Sequence, residues 1–345
     1  IAIDTVSGAD AAESGTQSVT VTITENESAP TVTLAVSATS IAENAGSSLT
    51  LTATLSGVTD ETVTVALGTS GSATEGTDYT DGSGNIDDIT ISAGSTTGTV
   101  NFTPTNDSVY ENDETATIAI TGVSGGDATE SGSQSVTITI SEDESAPTVT
   151  LTVSATSIAE NAGSSLTLTA TLSGAADESV TVALSTSGTS TEGTDYTDGS
   201  GNIDNITISA GNTTGTVSFT PTDDSVYEGN ETAIIAISSV SGADASESGS
   251  QSVTITITEN ESAPTITLAR SAASIDENSG STITLTATIS GVTDSAVTVA
   301  LDTSGTATEG TDYGTISDIT ISAGATTGTA TLDPTDDNIY EGDET

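Results

Sequence analysis

A stretch of ten residues rich in carboxylates, NDSVYENDET, occupies positions 106–115 of the chain. Near-copies occur at positions 223–232 (DDSVYEGNET) and 336–345 (DDNIYEGDET), and each has an aliphatic residue and a tyrosine at its centre. So many carboxylates with no basic residue among them repel one another unless a cation binds there. Oxygen donors without histidine or cysteine select hard divalent cations, and many ligands from flexible loops suit the larger Ca²⁺ ion. These three stretches, called the acidic loops below, are therefore candidate calcium-binding loops.

The composition of the whole chain excludes several classes of function. Among 345 residues there are 50 acidic residues and one basic residue, Arg270, which gives a formal net charge of −49. Such a charge repels nucleic acids and anionic membrane surfaces. The chain contains no histidine, cysteine or lysine, and paired carboxylates have no aromatic platform on which a sugar could stack. We therefore expect no enzymatic activity.

The sequence repeats itself with a period of 117 residues. Near-identical segments begin APTVTL or APTITL, and their prolines are Pro30, Pro147 and Pro264. A period of this length matches a whole β-sandwich domain rather than one unit of a solenoid. We expect residues 1–28 to be the last two strands of a partial repeat, 29–145 the first repeat, 146–262 the second repeat, and 263–345 a third, partial repeat without its last two strands.

Within the first repeat, seven short runs alternate Val, Ile or Leu with Thr or Ala, as half-buried strands do. Clusters of Gly, Asn, Asp and Ser separate the runs and favour turns. No segment has the 3.6-residue period of an amphipathic helix. The pattern predicts an all-β fold, with tandem seven-stranded immunoglobulin-like sandwiches in an elongated rod. The predicted strands are Val32–Val36, Leu49–Leu55, Val63–Leu67, Ile89–Ile91, Val100–Phe102, Ile118–Ile120 and Val136–Ile140.

Four motifs taken together resemble the Calx-beta domain. They are AEN at 42–44, TEGTDY at 74–79, the acidic loop, and an acidic cluster, EDE at 142–144, that follows the last strand and is called the closing cluster below. The resemblance covers nearly the whole chain and implies a seven-stranded sandwich that binds several Ca²⁺ ions at one end, close to the next domain. The loop and closing cluster hold fewer consecutive aspartates than the form found in sodium–calcium exchangers. This departure implies weaker binding, in the range of extracellular modules.

Carried over by this resemblance, the candidate Ca²⁺ ligands come from the same four segments of each repeat, and one ligand in each acidic loop is a main-chain carbonyl. In the first repeat they are Glu43, Asp78, Asn106, Asp107, Val109, Glu111, Glu114, Glu142, Asp143 and Glu144. In the second they are Glu160, Asp195, Asp223, Asp224, Val226, Glu228, Glu231, Glu259, Asn260 and Glu261. In the third they are Glu277, Asp312, Asp336, Asp337, Ile339, Glu341 and Glu344, and Glu25, Asn26 and Glu27 close the partial repeat at the start.

These observations favour a non-enzymatic calcium-binding repeat of an extracellular fibre or a bacterial adhesin stalk, in which Ca²⁺ stiffens the domain junctions. The near identity of the repeats is typical of a spacer or a polymer unit. Two alternatives stay open: a Ca²⁺ sensor or buffer module, and an adhesin region that grips a ligand.

The expected partners are calcium ions and adjacent copies of the same repeat. Those copies would come from a continuing chain or from separate molecules joined into a filament by strand complementation. We expect no nucleic-acid binding, no membrane insertion, and a location outside the cell or on its surface.

Overall fold

In the computed structural model, residues 1–345 are described throughout and form strands and loops. The chain divides into two compact units. The first comprises Ile1–Asp107 and Asn112–Asp143, and the second comprises Ser108–Glu111 and Glu144–Thr345. The all-β class predicted from the alternating runs is confirmed. None of the structure has the form of a long apolar helix that could cross a membrane.

The first unit contains the sandwich of the first repeat. Its strands are formed by residues that alternate between the interior and the surface. The strands up to residue 141 are β1 (Thr31–Val36), β2 (Ser40–Ala42), β3 (Leu49–Leu55), β4 (Val63–Gly71), β5 (Tyr79–Thr80), β6 (Ile89–Ile91), β7 (Thr97–Pro104), β8 (Val109–Tyr110), β9 (Glu114–Ser124), β10 (Thr129–Glu130) and β11 (Ser135–Ser141), of which β8 belongs to the second unit.

Ten of these strands form two five-stranded sheets, in the orders β10-β1-β3-β7-β5 and β2-β11-β9-β4-β6. All seven predicted strands are present, as β1, β3, β4, β6, β7, β9 and β11. The sequence did not predict β2, β5 and β10, which lie at sheet edges. These strands are two or three residues long, which is too short for a period of two to be visible.

An aromatic pair in the core fixes the position of the TDY motif. In the first repeat the rings of Tyr79 and Phe102 stack with centroids 4.6 Å apart, and both side chains are fully buried. Burying side chains of this size stabilises the fold by about 1.5–3 kcal/mol each. Because Asp78 directly precedes Tyr79, the stack holds that carboxylate at one end of the sandwich.

The second unit contains the second and third repeats together with residues 108–111. The third repeat has fewer strands than the second. The strands from residue 148 onwards are β12 (Thr148–Val153), β13 (Ser157–Ala159), β14 (Leu166–Leu172), β15 (Ala175–Ala176), β16 (Val180–Gly188), β17 (Tyr196–Thr197), β18 (Ile206–Ile208), β19 (Thr214–Pro221), β20 (Val226–Tyr227), β21 (Glu231–Ser241), β22 (Ser246–Glu247), β23 (Ser252–Thr258), β24 (Ile266–Arg270), β25 (Ile283–Ile289), β26 (Val292–Thr293), β27 (Val297–Val299), β28 (Ile319–Ile321) and β29 (Thr327–Leu332).

The second repeat has the same sandwich, with sheets β17-β19-β14-β12-β22 and β13-β23-β21-β16-β18. Its aromatic pair, Tyr196 and Phe219, stacks at 4.7 Å. The third repeat forms the sheets β24-β25-β29 and β27-β28, and β24 is exposed along its whole length.

Two short parallel strand pairs connect an acidic loop to the repeat that follows it. Strand β8 of the first acidic loop pairs with β15, and β20 of the second acidic loop pairs with β26. Ala176 in β15 and Thr293 in β26 are almost fully buried there. Both pairs lie within the second unit.

Candidate metal centre

The second repeat brings six of its candidate ligands together in two groups of three carboxylates. Within each group, one oxygen atom of each residue lies within 4.8 Å of the others. A single Ca²⁺ ion can bridge oxygens at this spacing, because its oxygen ligands lie at about 2.3–2.6 Å. The closing-cluster group is Glu160, Glu259 and Glu261, and the acidic-loop group is Asp195, Glu228 and Glu231.

Glu160 joins the closing cluster to the acidic loop. It follows β13, whose parallel pairing with β23 places it beside the start of the closing cluster. Its side chain is only 6% exposed, and its carboxylate accepts a hydrogen bond from the backbone N–H of Asp224 at 3.1 Å. Burial raises the pKa of Glu160, and the nearby charge of Glu259 raises it further. A cation beside this carboxylate would favour its charged form.

Glu259 acts as an acceptor for the backbone of both segments. Its carboxylate accepts hydrogen bonds from the N–H groups of Glu228 at 2.6 Å and Gly229 at 2.8 Å in the acidic loop. It also accepts one from the N–H of Glu261 at 2.9 Å. Burial alone would raise the pKa of Glu259, but these hydrogen bonds outweigh it and lower the pKa to about 2. Glu259 is therefore ionised at any physiological pH.

Glu261 has a buried oxygen that lacks a partner. Its Oε2 atom is inaccessible to solvent and makes no hydrogen bond. Contact with the side chain of Glu259, followed by burial, raises the pKa of Glu261 to about 7. A buried carboxylate oxygen without a donor is unfavourable unless a proton or a cation lies against it. The residues at this position therefore fit an oxygen-coordinated cation.

Two hydrogen bonds hold Asp195, one member of the acidic-loop group, in position. Asp195 follows the turn that begins at Thr191, whose N–H donates to its carboxylate, and its own carbonyl accepts from the N–H of Thr222 at 2.9 Å. Burial raises the pKa of Glu228 and of Glu231 to about 7, and the charge of Asp195 adds to the effect at both. Three carboxylates this close, with none of them paired to a base in the group, are most stable when protonated or when a cation binds.

The third repeat has the equivalent of the acidic-loop group, in a more exposed form. Asp312, Glu341 and Glu344 have oxygens within 4.8 Å of one another. Burial and the charge of Asp312 raise the pKa values of Glu341 and Glu344. The carboxylate of Glu277 accepts a hydrogen bond from the N–H of Asp337 at 2.9 Å.

The first unit shows the same arrangement for the ligands that belong to it. Glu43, Glu142 and Asp143 have oxygens within 4.8 Å of one another, and so do Asp78 and Glu114. Glu43 accepts a hydrogen bond from the N–H of Asp107 at 2.8 Å. The other candidates of the first repeat are Asn106, which is exposed, and Val109, Glu111 and Glu144, which belong to the second unit.

Several candidate ligands lie outside these groups. Glu25, Asn26 and Glu27 are exposed, and Glu25 accepts hydrogen bonds from the N–H groups of the other two, at 2.8 and 3.2 Å. Asp224 and Asp337 each accept a hydrogen bond at 2.6 Å from the N–H two residues further on, which belongs to Val226 and Ile339. The remaining candidates outside the groups are Asp223, Asn260 and Asp336, and their roles stay predictions.

Sequence reasoning missed the residue that anchors each closing cluster. The side-chain oxygen of Asn230 accepts a hydrogen bond from the N–H of Glu259 at 3.0 Å, and Asp113 accepts one from Glu142 at the same distance. A signal was present in the sequence, because the last-but-two position of every acidic loop is Asp or Asn. Sequence reasoning also missed Asp294 of the third repeat, whose charge raises the pKa of Glu231 in the second repeat.

Comparison with known proteins places these features in a family. A family model described as the Calx-beta domain matches residues 25–144, 142–261 and 259–345. No curated protein sequence matches the chain.

Solved structures resemble the chain only weakly. They include CBD12 from CALX1.2, which has 15% identity and a TM-score of 0.29 and covers 65% of this chain and 99% of that one. The calcium binding domain CBD12 of CALX1.1 has 14% identity and a TM-score of 0.27, with coverage of 63% and 95%. Invasin, a bacterial integrin-binding protein, has 17% identity and a TM-score of 0.31, with coverage of 88% and 54%.

Proposed function

The chain belongs to the Calx-beta domain family, and on this premise we propose that it is a non-enzymatic, calcium-binding structural protein of an extracellular fibre or adhesin stalk. Ca²⁺ bound by the acidic groups would fix each repeat against the next and stiffen the junction. For this chain, the proposal depends on its own carboxylates.

One observation carries the proposal: a single loop both groups the carboxylates and contacts the next repeat. In the loop at 223–232, strand β20 (Val226–Tyr227) pairs with β26 of the third repeat. Glu228 and Glu231, which follow β20 directly, belong to the acidic-loop group. A cation that orders these two carboxylates would therefore also order the strand that holds the following repeat.

The donor chemistry favours Ca²⁺ over other cations. All donors are oxygens, and the chain has neither histidine nor cysteine to attract a transition metal. Mg²⁺ requires near-ideal octahedral geometry and keeps several waters, whereas Ca²⁺ accepts six to eight oxygens in flexible geometry. Long glutamate side chains that come from separate loops suit the flexible geometry of a Ca²⁺ site. Asp223, Asp224, Asn260 and the carbonyl of Val226 would supply further oxygens around the two groups of the second repeat.

The proposed location is outside the cell, on a bacterial surface or in a biofilm matrix. A net charge of −49 destabilises the folded chain through self-repulsion, and abundant divalent cations relieve that repulsion. Weak Ca²⁺ sites, of the kind found in extracellular modules, are filled where calcium is plentiful. The proposed partners besides Ca²⁺ are adjacent copies of the same repeat, supplied by a continuing chain or by neighbouring molecules of a rod-like filament.

Calorimetric titration of the full chain with Ca²⁺, and with Mg²⁺ for comparison, tests the proposal. We expect several Ca²⁺ ions to bind with micromolar to millimolar dissociation constants. A variant that combines Asp195→Asn, Glu228→Gln and Glu231→Gln should lose binding sites. Asp302→Asn is the control, because Asp302 is exposed and lies outside every group. A full chain that binds no Ca²⁺ at millimolar concentration would exclude the proposed function.

A further inference from the structure

The third repeat presents an apolar strand that the first two repeats keep covered. Strand β24 holds the place of β1 and β12, and its Leu268 is 55% exposed, whereas the equivalent Leu34 is 7% exposed. Strand β1 packs against β9 and β11, and β12 packs in the same way against β21 and β23. In the third repeat no strand takes the place of β9 or β11. Strand β24 therefore lacks the strands that cover its counterparts.

Two strand edges of the third repeat also lack their strand partners. In the first repeat, β2 pairs with β11, and most of β4 pairs with β9. Residues 274–276, which are equivalent to β2, form no strand, and Ile275 is half-buried where its counterpart Ile41 is buried. Strand β27 extends over only the first three residues of the position of β4. Such open edges are templates for pairing with a strand from elsewhere.

Residues 1–24, called the amino-terminal hairpin below, have the sequence pattern of the missing strands. They align with residues 118–141, which form most of β9 and all of β11. The hairpin has the register of the complete repeat, because Ala2 pairs with Ser18 as Ala119 pairs with Ser135. Its apolar side chains are 47–95% exposed, whereas their counterparts in the first repeat are buried or half-buried. These exposed residues are Ile1, Ile3, Val19, Val21 and Ile23.

A second pair of exposed surfaces fits the same arrangement. In the acidic loop at 336–345, Ile339 is 64% exposed and Tyr340 is 97% exposed. The equivalent strands β8 and β20 are half-buried and pair with β15 and β26 of the following repeat. The position of β15 and β26 in the first repeat begins at Val58, which is 66% exposed. The third acidic loop and Val58 thus each lack the contact that their counterparts make.

A second copy of this chain supplies both missing contacts at once. Residues 25–30 link the amino-terminal hairpin to the first repeat, as residues 142–147 link the first repeat to the second. If the hairpin of the second copy completes the third repeat, its first repeat follows that repeat directly. The third acidic loop can then pair with Val58 in the register that joins Val226 to Val292. All four exposed surfaces are covered by pairings that the chain already uses, which favours a second copy over an unrelated partner.

We infer that the amino-terminal hairpin of one molecule adds to the third repeat of another and completes its sandwich by β-strand addition. This inference rests on the proposed function, because it names the contact that joins adjacent copies. Each molecule offers one hairpin and one open repeat, so the two sides of the interface differ. Contacts of this head-to-tail kind produce filaments when they do not close into a ring.

The repeats define the register of the added hairpin. In the first repeat Ile140 of β11 lies opposite Ile41 of β2. The equivalent contact places Ile23 of the hairpin opposite Ile275 of the other molecule. Val21 then takes the place of Ile138, which is fully buried.

Two matched variants of the full chain test the inference. Val21→Asp places a charge on the face of the hairpin that enters the core. Thr20→Asp places the same charge on the opposite face, where the equivalent Thr137 is exposed in the complete first repeat. Both substituted residues are exposed in the separate molecule, so neither change should unfold a repeat.

Analytical ultracentrifugation over a range of protein concentrations measures the association. The buffer contains millimolar Ca²⁺ and about 0.15 M salt, which screens repulsion between the acidic chains. The parent and Thr20→Asp should form oligomers that lengthen with concentration. Val21→Asp should weaken the association at least about a hundredfold, because it buries a charge without a partner.

A mixing experiment distinguishes strand addition from non-specific contact. Leu268→Asp disrupts the acceptor surface and keeps the hairpin, whereas Val21→Asp disrupts the hairpin and keeps the acceptor. Each variant alone should remain monomeric, and an equimolar mixture should form heterodimers and nothing longer. Formation of the heterodimer also shows that both variants are folded where they must pair.

Three results would overturn the inference: a parent chain that is monomeric at every concentration, a Thr20→Asp variant as defective as Val21→Asp, or a mixture that forms no heterodimer. A monomer whose own hairpin closes its third repeat falls under the first result. Calorimetric titration of the same samples with Ca²⁺ tests the proposed function separately. A monomer that binds Ca²⁺ contradicts the inference alone, and an oligomer that binds no Ca²⁺ contradicts the proposed calcium binding and leaves the inference standing.

Discussion

The carboxylate of Glu160 accepts a hydrogen bond from the backbone N–H of Asp224 at 3.1 Å, across 64 residues of sequence. The same bond joins Glu43 to Asp107 in the first repeat, at 2.8 Å. It ties the AEN motif to the acidic loop independently of any ion. The acidic loop is therefore partly organised for cation binding by the fold itself, which lowers the entropic cost of binding.

Two substitutions at Glu160 separate this structural role from a role in binding. Glu160→Gln keeps an oxygen that can accept the hydrogen bond but removes the charge. It should leave the melting temperature in chelator unchanged or slightly higher and weaken Ca²⁺ binding in the second repeat at least tenfold, within the range of ligand losses. Glu160→Ala should also lower the melting temperature in chelator, because the N–H of Asp224 loses its partner. Calorimetric titration and thermal unfolding give the two readouts. Equal Ca²⁺ affinity for Glu160→Gln and the parent would exclude Glu160 as a ligand.

Stability in the presence of chelator should depend on pH in an unusual direction. The pKa values of Glu228 and Glu231 are about 7 in the folded protein, against 4.5 for an unperturbed glutamate. Because the folded state holds these protons more tightly, their contribution is complete below about pH 4.5 and is lost as pH rises through 7. Glu259, whose pKa is lowered to about 2, contributes an opposite slope that is nearly complete by about pH 5.5, because above that pH it is ionised in both states. The melting temperature in chelator should therefore fall by several degrees between pH 5 and pH 8.

Excess Ca²⁺ provides the internal control for this pH dependence. A bound ion replaces the protons, so the fall in melting temperature should disappear or reverse when the scans are repeated with millimolar Ca²⁺. A combined Glu228→Gln and Glu231→Gln variant should show a weaker slope in chelator than the parent. A parent protein that becomes more stable between pH 5 and pH 8 in chelator would contradict the raised pKa values of Glu228 and Glu231.

The sequence predicts the main strands and the broad location of the site, because both depend on local or repeated patterns. In strands such as β3, Leu and Thr alternate with a period of two, which differs from the 3.6-residue period of an amphipathic helix. The acidic loops could be recognised because the same motif occurs three times in a chain that has a single basic residue. The short edge strands β2, β5 and β10 could not be predicted, since their pairing depends on where longer strands bring the backbone.

The division of the ligands into two groups also could not be predicted from sequence. Glu228 and Glu231 join Asp195, while Glu259 and Glu261 join Glu160, and no spacing in the sequence distinguishes these pairings. The resemblance supplied the residues, and the pairing of strands decided which of them meet. The charge of Asp294 raises the pKa of Glu231 only because the second and third repeats are in contact, so the sequence of a single repeat does not reveal this effect.

The aromatic pair of the second repeat gives a prediction about stability. Phe219 is fully buried against Tyr196 and lies opposite Leu166 of β14. Its counterpart in the third repeat is Leu332, which lies opposite Ile283 of β25. Phe219→Ala should lower the free energy of unfolding of the second repeat by about 3–5 kcal/mol, because it removes the stack and leaves a cavity. Phe219→Leu should cost less, about 1–2 kcal/mol, because most of the volume is kept. Urea unfolding measures both.

Ser218→Ala is the control for these variants, since Ser218 is exposed on the same strand. It should change the free energy of unfolding by no more than about 0.5 kcal/mol. Because Tyr196 follows Asp195, Phe219→Ala should also weaken Ca²⁺ binding, whereas Ser218→Ala should not. A Phe219→Ala protein with parental stability would show that the stack contributes little to this core.

Calcium should stabilise the folded chain. An ion that binds only the folded state stabilises it by RT ln(1 + [L]/Kd), which is about 2.7 kcal/mol per independent site at a hundredfold excess over Kd. The melting temperature should accordingly rise by several degrees between excess chelator and millimolar Ca²⁺, and less with Mg²⁺. An unchanged melting temperature would mean that the carboxylate groups do not bind Ca²⁺ preferentially in the folded state.

Glu261→Gln should separate the effect of the proton from the effect of the ion at the closing-cluster group. The pKa of Glu261 is raised to about 7 by its contact with Glu259, so near neutral pH its carboxyl group is partly protonated. A glutamine at this position can donate a hydrogen bond to the ionised Glu259 at every pH, as the protonated acid does, and its neutral amide repels nothing. The melting temperature of the variant in chelator at pH 8 should therefore equal or exceed that of the parent. An amide contributes one neutral oxygen in place of a carboxylate, so the rise in melting temperature on adding Ca²⁺ should be smaller than in the parent. If the variant is less stable than the parent in chelator and gains as much from Ca²⁺, Glu261 neither shares a proton with Glu259 nor binds the ion.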